Sequence, residues 1–177
     1  LRKYPEKYHQ ENIYLQDGKL HLPLIVWGDP RAAINLVCVD YAVDLIARLA
    51  EAPNSAGLTF HVVNPNPPNA GHLMECSMEA LGITGVRLLN LNEAESSLDT
   101  IKRLVTRTSI IDSLEKRIHG EVGRYIDYSE VGPKFSMINV RRILGEVPSH
   151  PTVDMDLVKR LLQYALNKNF GRNLPKG

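Results

Sequence analysis

Two sets of residues in this chain have types and spacings that could carry chemistry. Tyr164 and Lys168 form its only Tyr-x-x-x-Lys spacing. A lysine one helical turn after a tyrosine can help a phenol pass the proton that accompanies a hydride. That chemistry needs a bound dinucleotide, whose pyrophosphate is held where a glycine-rich turn opens a helix. No G-x-G-x-x-G or G-x-x-G-x-x-G occurs, and the pairs Gly82/Gly85 and Gly120/Gly123 have no third glycine. Tyr164 and Lys168 fall instead on an amphipathic helix expected over 153–169, with Leu157, Leu161 and Tyr164 on one face. They read as a packed aromatic beside a solvated lysine. His72 and Cys76, also four apart, could share a metal on one helix face, but no further ligands are indicated. They read as a helix-start histidine beside a packed thiol. There is no C-x-x-C, H-E-x-x-H, P-loop or G-x-S-x-G.

The elements that must position any site follow from periodicity and punctuation. Residues 1–22 are polar with three tyrosines and read as an irregular or short helical lead-in. Residues 24–27 form a short strand closed by Gly28-Asp29-Pro30. The stretch 34–46, INLVCVDYAVDLI, reads as a strand running into a helix. Asp40 is the expected N-cap, and Val43, Ile46, Leu49 and Ala50 the expected inner face. This helix must stop before Pro53. Residues 59–63 read as a buried strand, and the loop Asn64-Pro65-Asn66-Pro67-Pro68-Asn69 follows. A second helix is expected over 71–81, with Leu73, Met74, Ser77 and Leu81 inward and Gly82 as its stop. Residues 86–89 are a further strand. This alternation argues for parallel strands in an α/β layer.

After residue 91 the pattern becomes helical. Residues 93–118 lack proline and glycine, 120–134 read as loop, 138–144 as a short helix, and 148–151 as a breaker. The last helix is expected from Val153 with Thr152 as N-cap. The predicted fold class is thus α/β: a small parallel-strand layer followed by a mainly helical C-terminal region. The corresponding organisation is a lead-in at 1–22, an α/β core at 23–91 and a helical region at 92–177.

The chain has 177 residues, 44% apolar and 23% charged, which suits one globular domain, or a domain plus an appended helical piece, with an aliphatic core. No apolar run approaches the ~20 residues that span a bilayer, and the polar start has no secretory h-region. Two cysteines are expected as buried, reduced thiols, so the expected location is cytoplasmic. Net charge is +1 but uneven. Residues 1–100 hold 7 Lys/Arg against 12 Asp/Glu, and residues 101–177 hold 14 against 8. The basic half could meet an anion. Its charges alternate with apolar positions, and no nucleic-acid motif or aromatic platform accompanies them. Solvated helix faces are the expectation, without a nucleic-acid partner.

The stretch 34–46 resembles the strand-to-helix step N-L-V-P-V-D-Y-V-V-D-A-I in the C-terminal half of extended short-chain dehydrogenase/reductases. It is most similar to the branch of fatty acyl-CoA reductases, thioester reductases and male-sterility-type proteins. Cys38 stands where that branch usually has proline. Upstream, 18–30 (GKLHLPLIVWGDP) and downstream, 57–68 (GLTFHVVNPNPP) resemble the family's flanking segments, and 135–145 (FSMINVRRILG) does so faintly. The resemblance implies a partial Rossmann-like layer, the substrate-side half of such an enzyme. It implies a small acyl-type substrate and NAD(P) for a full-length parent, with no cofactor in this chain and no catalytic residue of its own. It also places Asp40, Tyr41 and Asn64 near the edge of the substrate pocket. Each has a plainer role: an N-cap of about 1 kcal/mol, a packed ring, and the start of a loop.

Two other functions compete. The chain could be a stand-alone, non-catalytic binding module derived from that family, with its open sheet edge covered by residues 1–22 or by a second copy in a homodimer. A small hydrolase or lyase on an unrelated α/β scaffold ranks last, since only scattered polar residues support it.

Overall fold

The structure is a computed structural model, and its described residues are 13–90, 113, 114, 116–118, 120 and 134–171. The first elements are a hairpin, β1 (Tyr14–Gln16) and β2 (Lys19–His21), where an irregular or helical lead-in was expected. The two-residue link explains it. Asp17 and Gly18 take φ of 50° and 78°, the positive pair that a tight turn between antiparallel strands requires. The register sets Tyr14 opposite His21, and their rings stack at 4.6 Å. Strand β3 (Ile25–Trp27) follows.

Helix α1 (Val39–Glu51) starts two residues ahead of expectation. Cys38 is its N-cap, in extended conformation and without a side-chain bond, so Asp40 is not the cap. Asp40 falls within the first turn, where a carboxylate still suits the helix dipole. The inward face also differs. Tyr41, Leu45 and Leu49 are buried, whereas Val43, Ile46 and Ala50 point outward. The helix ends before Pro53, as the proline dictates.

Helix α2 (Ala70–Leu81) matches expectation closely. Asn69 Oδ1 accepts the His72 N–H at 2.8 Å, and Gly82 closes the helix at φ 66°. Strands β4 (Ile83–Thr84) and β5 (Arg87–Leu89) then pair in parallel with β2 and β3. This yields a three-stranded sheet, β1-β2-β4, and a two-stranded one, β3-β5. The turn between β4 and β5 holds Gly85 at φ 87° against the exit of β2. A Cβ there would lie 2.7 Å from His21 Cε1 and 2.8 Å from the Leu22 carbonyl.

The expected strands at 34–39 and 59–63 enter neither sheet: Val39 already belongs to α1, and Leu36 N–H turns back onto the Ile34 carbonyl at 2.9 Å. Ile34 N–H donates to the Pro68 carbonyl, and Ala33 makes a single antiparallel bridge to Asn69. Along 60–63, the backbone makes no hydrogen bond among the described residues. Side chains tie this run down instead. Asn139 Nδ2 donates to the Thr59 carbonyl at 2.9 Å, and His61 Nδ1 lies 3.0 Å from the Ser136 carbonyl.

Two further helices are α3 (Ile138–Leu144) and α4 (Met155–Asn167), the latter followed by a 3-10 turn at Asn169–Gly171. The N-cap of α4 is Asp154, whose carboxylate accepts the Leu157 N–H at 2.9 Å, and not Thr152. Of its expected inner face, Leu161 and Tyr164 are exposed and Val158 is buried in their place. Most of the helical stretch expected at 93–118 lies outside the described residues; Ser113, Leu114 and 116–118 are helical.

Apolar side chains collect in three clusters. Tyr41, Leu45, Leu49, Val63, Met137 and Val140 join α1 to α3 and to the 59–63 run. Ile13, Leu24 and Ile25 underlie the strands, and Cys76, Val153 and Val158 join α2 to α4. The molecule is therefore a mixed α/β fold with small parallel strand pairs and several helices. Among the described residues no helix is long and apolar enough to cross a membrane.

Candidate functional site

Tyr41 and Asn64 border the same apolar cluster, and Asp40 lies outside it. Tyr41, in the first turn of α1, is only 4% exposed and packs with Val63, the residue before Asn64. Its ring meets that of His150 edge to face, 4.8 Å between centroids. The phenol oxygen is buried without a hydrogen-bond partner. Burial pushes the phenol's pKa up, so it remains an O–H group through the neutral range. Asp40, one residue earlier in the first turn of α1, is exposed.

Asn64 is 3% exposed. Its backbone is held from both sides by one amide: Asn64 N–H donates to Asn35 Oδ1 at 3.1 Å, and Asn35 Nδ2 donates to the Asn64 carbonyl at 3.2 Å. The Asn35 side chain thus does what a neighbouring strand would do. Asn64 Oδ1 accepts the Asn66 N–H at 2.9 Å, shaping the proline-rich loop, while Asn64 Nδ2 is buried and unpartnered.

His150 completes the surroundings. Its Nε2 lies 3.0 Å from Cys38 N, and its Nδ1 lies 2.7 Å from the Pro151 carbonyl. A backbone N–H can only donate and a carbonyl can only accept, so Nε2 is the acceptor and Nδ1 carries the proton. Sequence reasoning missed His150 and Asn35. Asn35 was legible only as part of an apolar run, and nothing local marks His150, which stands 112 positions from Cys38.

Chemically, this arrangement can donate to a hydrogen-bond acceptor. Two buried polar groups, a phenol O–H and an amide N–H₂, have unused donors at the rim of one apolar cluster. Each costs about 1–3 kcal/mol while unpaired and would gain from a carbonyl or similar acceptor. No nucleophile stands next to a base here. The thiol of Cys76 sits 3.6 Å from His72 Nε2, but burial first, then Glu75 and Asp154, push its pKa up, which disfavours the thiolate. Among the described residues no group of three or more His, Cys, Asp or Glu could hold a metal. Tyr164 is exposed, with Lys168 Nζ 5.9 Å above its ring, so the pair is a surface cation–π contact. A shallow depression at the start of α4, lined by Asp154, Asp156, Lys159 and Arg160, carries both signs of charge and includes none of Asp40, Tyr41 and Asn64.

A dinucleotide does not fit the described residues. It would need glycines that leave backbone open to a pyrophosphate at a helix start. Gly85 is closed off by His21 and Leu22, and Gly71, in the first turn of α2, lies against the Pro30 carbonyl and Cβ.

No protein-family model matches the chain, and no curated protein sequence matches it. Among solved structures, its fold is similar to the crystal structure of the terminal R domain from the myxalamid PKS-NRPS biosynthetic pathway, at a TM-score of 0.54 and 24% identity. The match takes in 86% of this chain but only 36% of that one, so the chain spans about a third of the solved structure whose fold it shares.

Proposed function

We propose that this chain is the substrate-side part of an NAD(P)-dependent reductase of the extended short-chain dehydrogenase/reductase type, acting on an acyl thioester. The nucleotide-binding and catalytic half lies elsewhere in the polypeptide. The observation that carries this reading is the run at 59–63, whose composition favours a strand. Its side chains at 59–62 alternate between solvent and the α1 cluster, and its backbone at 60–63 lacks partners among the described residues. A strand so placed belongs in a larger sheet. The fold shared with an R domain from a PKS-NRPS pathway supports the same reading. On it, Tyr41 and Asn64 offer their spare donors to the acyl substrate, and Asp40 lies at the outer rim.

The test begins with the length of the native polypeptide, by immunoblot against this 19.9 kDa chain. A longer band is expected, and that longer protein should oxidise NADPH when given a long-chain acyl-CoA, while the 177-residue chain should not. A native polypeptide of 177 residues, or turnover by the 177-residue chain alone, overturns the proposal.

One observation favours the second reading, a stand-alone, non-catalytic binding module. The β1-β2 hairpin covers the flank of β4 from within residues 13–22, as a self-sufficient module would require. A native band at 19.9 kDa with a monodisperse profile in light scattering would select it.

A further inference from the structure

Two histidines tie the segments on either side of α3 to the rest of the fold, and they do so with opposite chemistry. Ahead of α3, His61 Nδ1 lies 3.0 Å from the Ser136 carbonyl, so this nitrogen carries a proton and donates. After α3, His150 Nε2 accepts the Cys38 N–H at 3.0 Å. Among the described residues this is the one hydrogen bond from 147–153 to another element. Apolar contacts hold the two ends of that segment. Val147 packs on the cluster of Tyr41 and Val140, and Val153 belongs to the cluster of Cys76. Between them, His150 sets its ring edge to face against Tyr41.

The two bonds respond differently to a proton. An imidazole changes its charge between about pH 5 and about pH 8. The imidazolium of His61 still donates from Nδ1. The imidazolium of His150 has a donor on both nitrogens, and its Nε2 then faces the Cys38 N–H, which can only donate. The new charge also falls at the start of α1, the positive end of that helix's dipole. The charged and titratable groups around the ring do not offset this. Tyr41 stays neutral, because burial pushes its pKa up. Arg141 and Arg142, at the end of α3, carry the same sign as an imidazolium. Asp154 is engaged as the N-cap of α4, and neither Asp40 nor Glu146 pairs with the imidazole among the described residues.

We propose that His150 is a pH-sensitive latch. Protonating its imidazole breaks the bond to Cys38, frees residues 148–151 from the start of α1 and takes the ring off Tyr41. His61 meanwhile keeps the other end of the α3 segment in place. The bond exists only while the His150 ring is neutral. What it contributes is therefore present at the alkaline end of the range and lost toward the acid end. The latch rests on bonds within this chain, so it stands or falls separately from the reductase reading.

The test is amide hydrogen exchange at Cys38 in the 177-residue chain, corrected at each pH for the exchange rate of an unstructured peptide. From about pH 7.5 to about pH 5.5 the Cys38 N–H should lose protection by at least about tenfold, the factor that one hydrogen bond carries. H150Q keeps a side-chain acceptor that does not titrate, so its protection should stay flat over the same range. H61Q should behave as the parent chain does. Flat protection in the parent chain overturns the latch. An equal fall in H150Q also overturns it, since another group would then be responsible. The ring 15N shifts of His150 need no variant and should place the proton on Nδ1 at about pH 8. A proton on Nε2 there overturns the inference whether or not H150Q folds.

Discussion

His150 and Cys38 are joined by one hydrogen bond, from the Cys38 backbone N–H to the His150 imidazole Nε2 at 3.0 Å. Because Cys38 is the N-cap of α1, this bond ties the loop before α4 to the start of the helix that carries Tyr41. Replacing His150 with alanine leaves that N–H unpaired and removes the ring packed on Tyr41. We predict that H150A lowers unfolding stability by about 1–3 kcal/mol. Urea denaturation followed by circular dichroism measures it, and an unchanged midpoint would show that the loop is held by other contacts.

Asn35 offers a sharper version of the same logic. Its amide serves both backbone groups of Asn64, so N35A should also cost about 1–3 kcal/mol. N35D keeps an acceptor for the Asn64 N–H but sets a carboxylate oxygen against the Asn64 carbonyl, so it should not rescue the loss. Equal stability of N35D and the parent chain in the same denaturation series would remove the two-sided role.

Tyr41 separates stability from binding. Its buried hydroxyl has no partner, so Y41F should leave the 177-residue chain unchanged or stabilise it by up to about 1 kcal/mol. In the native-length protein the same change should raise KM for an acyl thioester, because a donor to the substrate is lost. A clear loss of stability in the short chain would mean that the hydroxyl already has a structural partner. An unchanged KM would remove Tyr41 from the substrate contacts.

Asp29 predicts a pH dependence. The Arg31 side chain, and after it the Arg31 backbone N–H, hydrogen-bond its carboxylate and hold its pKa below the usual carboxylate range. A folded pKa below the unfolded one contributes stability that is present above the unfolded value and lost as pH falls through the folded value. D29N should therefore differ from the parent by a constant amount near neutrality. The two should converge as pH drops below the ordinary aspartate range. Thermal melts at closely spaced acidic pH values decide it, and parallel profiles would show that Asp29 is not a linked group.

Legibility in the sequence followed the range of the interaction. Helix α2 could be read to within a residue because the proline-rich loop before it and Gly82, its C-cap, are local signals; Asn69, its N-cap, read only as the end of that loop. The hairpin was equally local but was passed over, although Asp17-Gly18 is a strong turn signal. In α1 the period was correct and the face was not. With apolar residues on two sides, spacing alone cannot say which side finds its partner within the chain. The runs at 34–39 and 59–63 read as strands because β-branched and apolar residues favour that backbone, but neither is paired in a sheet, since strand pairing depends on neighbours. Tyr41 and Asn64 were reached through a family resemblance. Their shared cluster, and the hold that Asn35 and His150 have on it, arise from contacts 29 and 112 positions apart that no local pattern encodes.

Gly85 has a consequence for how this chain can drift. Its missing Cβ would meet the His21 ring, which can rotate away, and the Leu22 carbonyl, which cannot. Any other residue at 85 must push on the backbone just past β2, and the β2–β4 ladder is held by only two residue pairs, Leu20 with Ile83 and His21 with Thr84. So short a ladder has no slack to spread such a shift over neighbouring rungs. The turn at 85 and the hairpin at 14–21 are therefore bound to change together, and lineages that keep one should be found to keep the other.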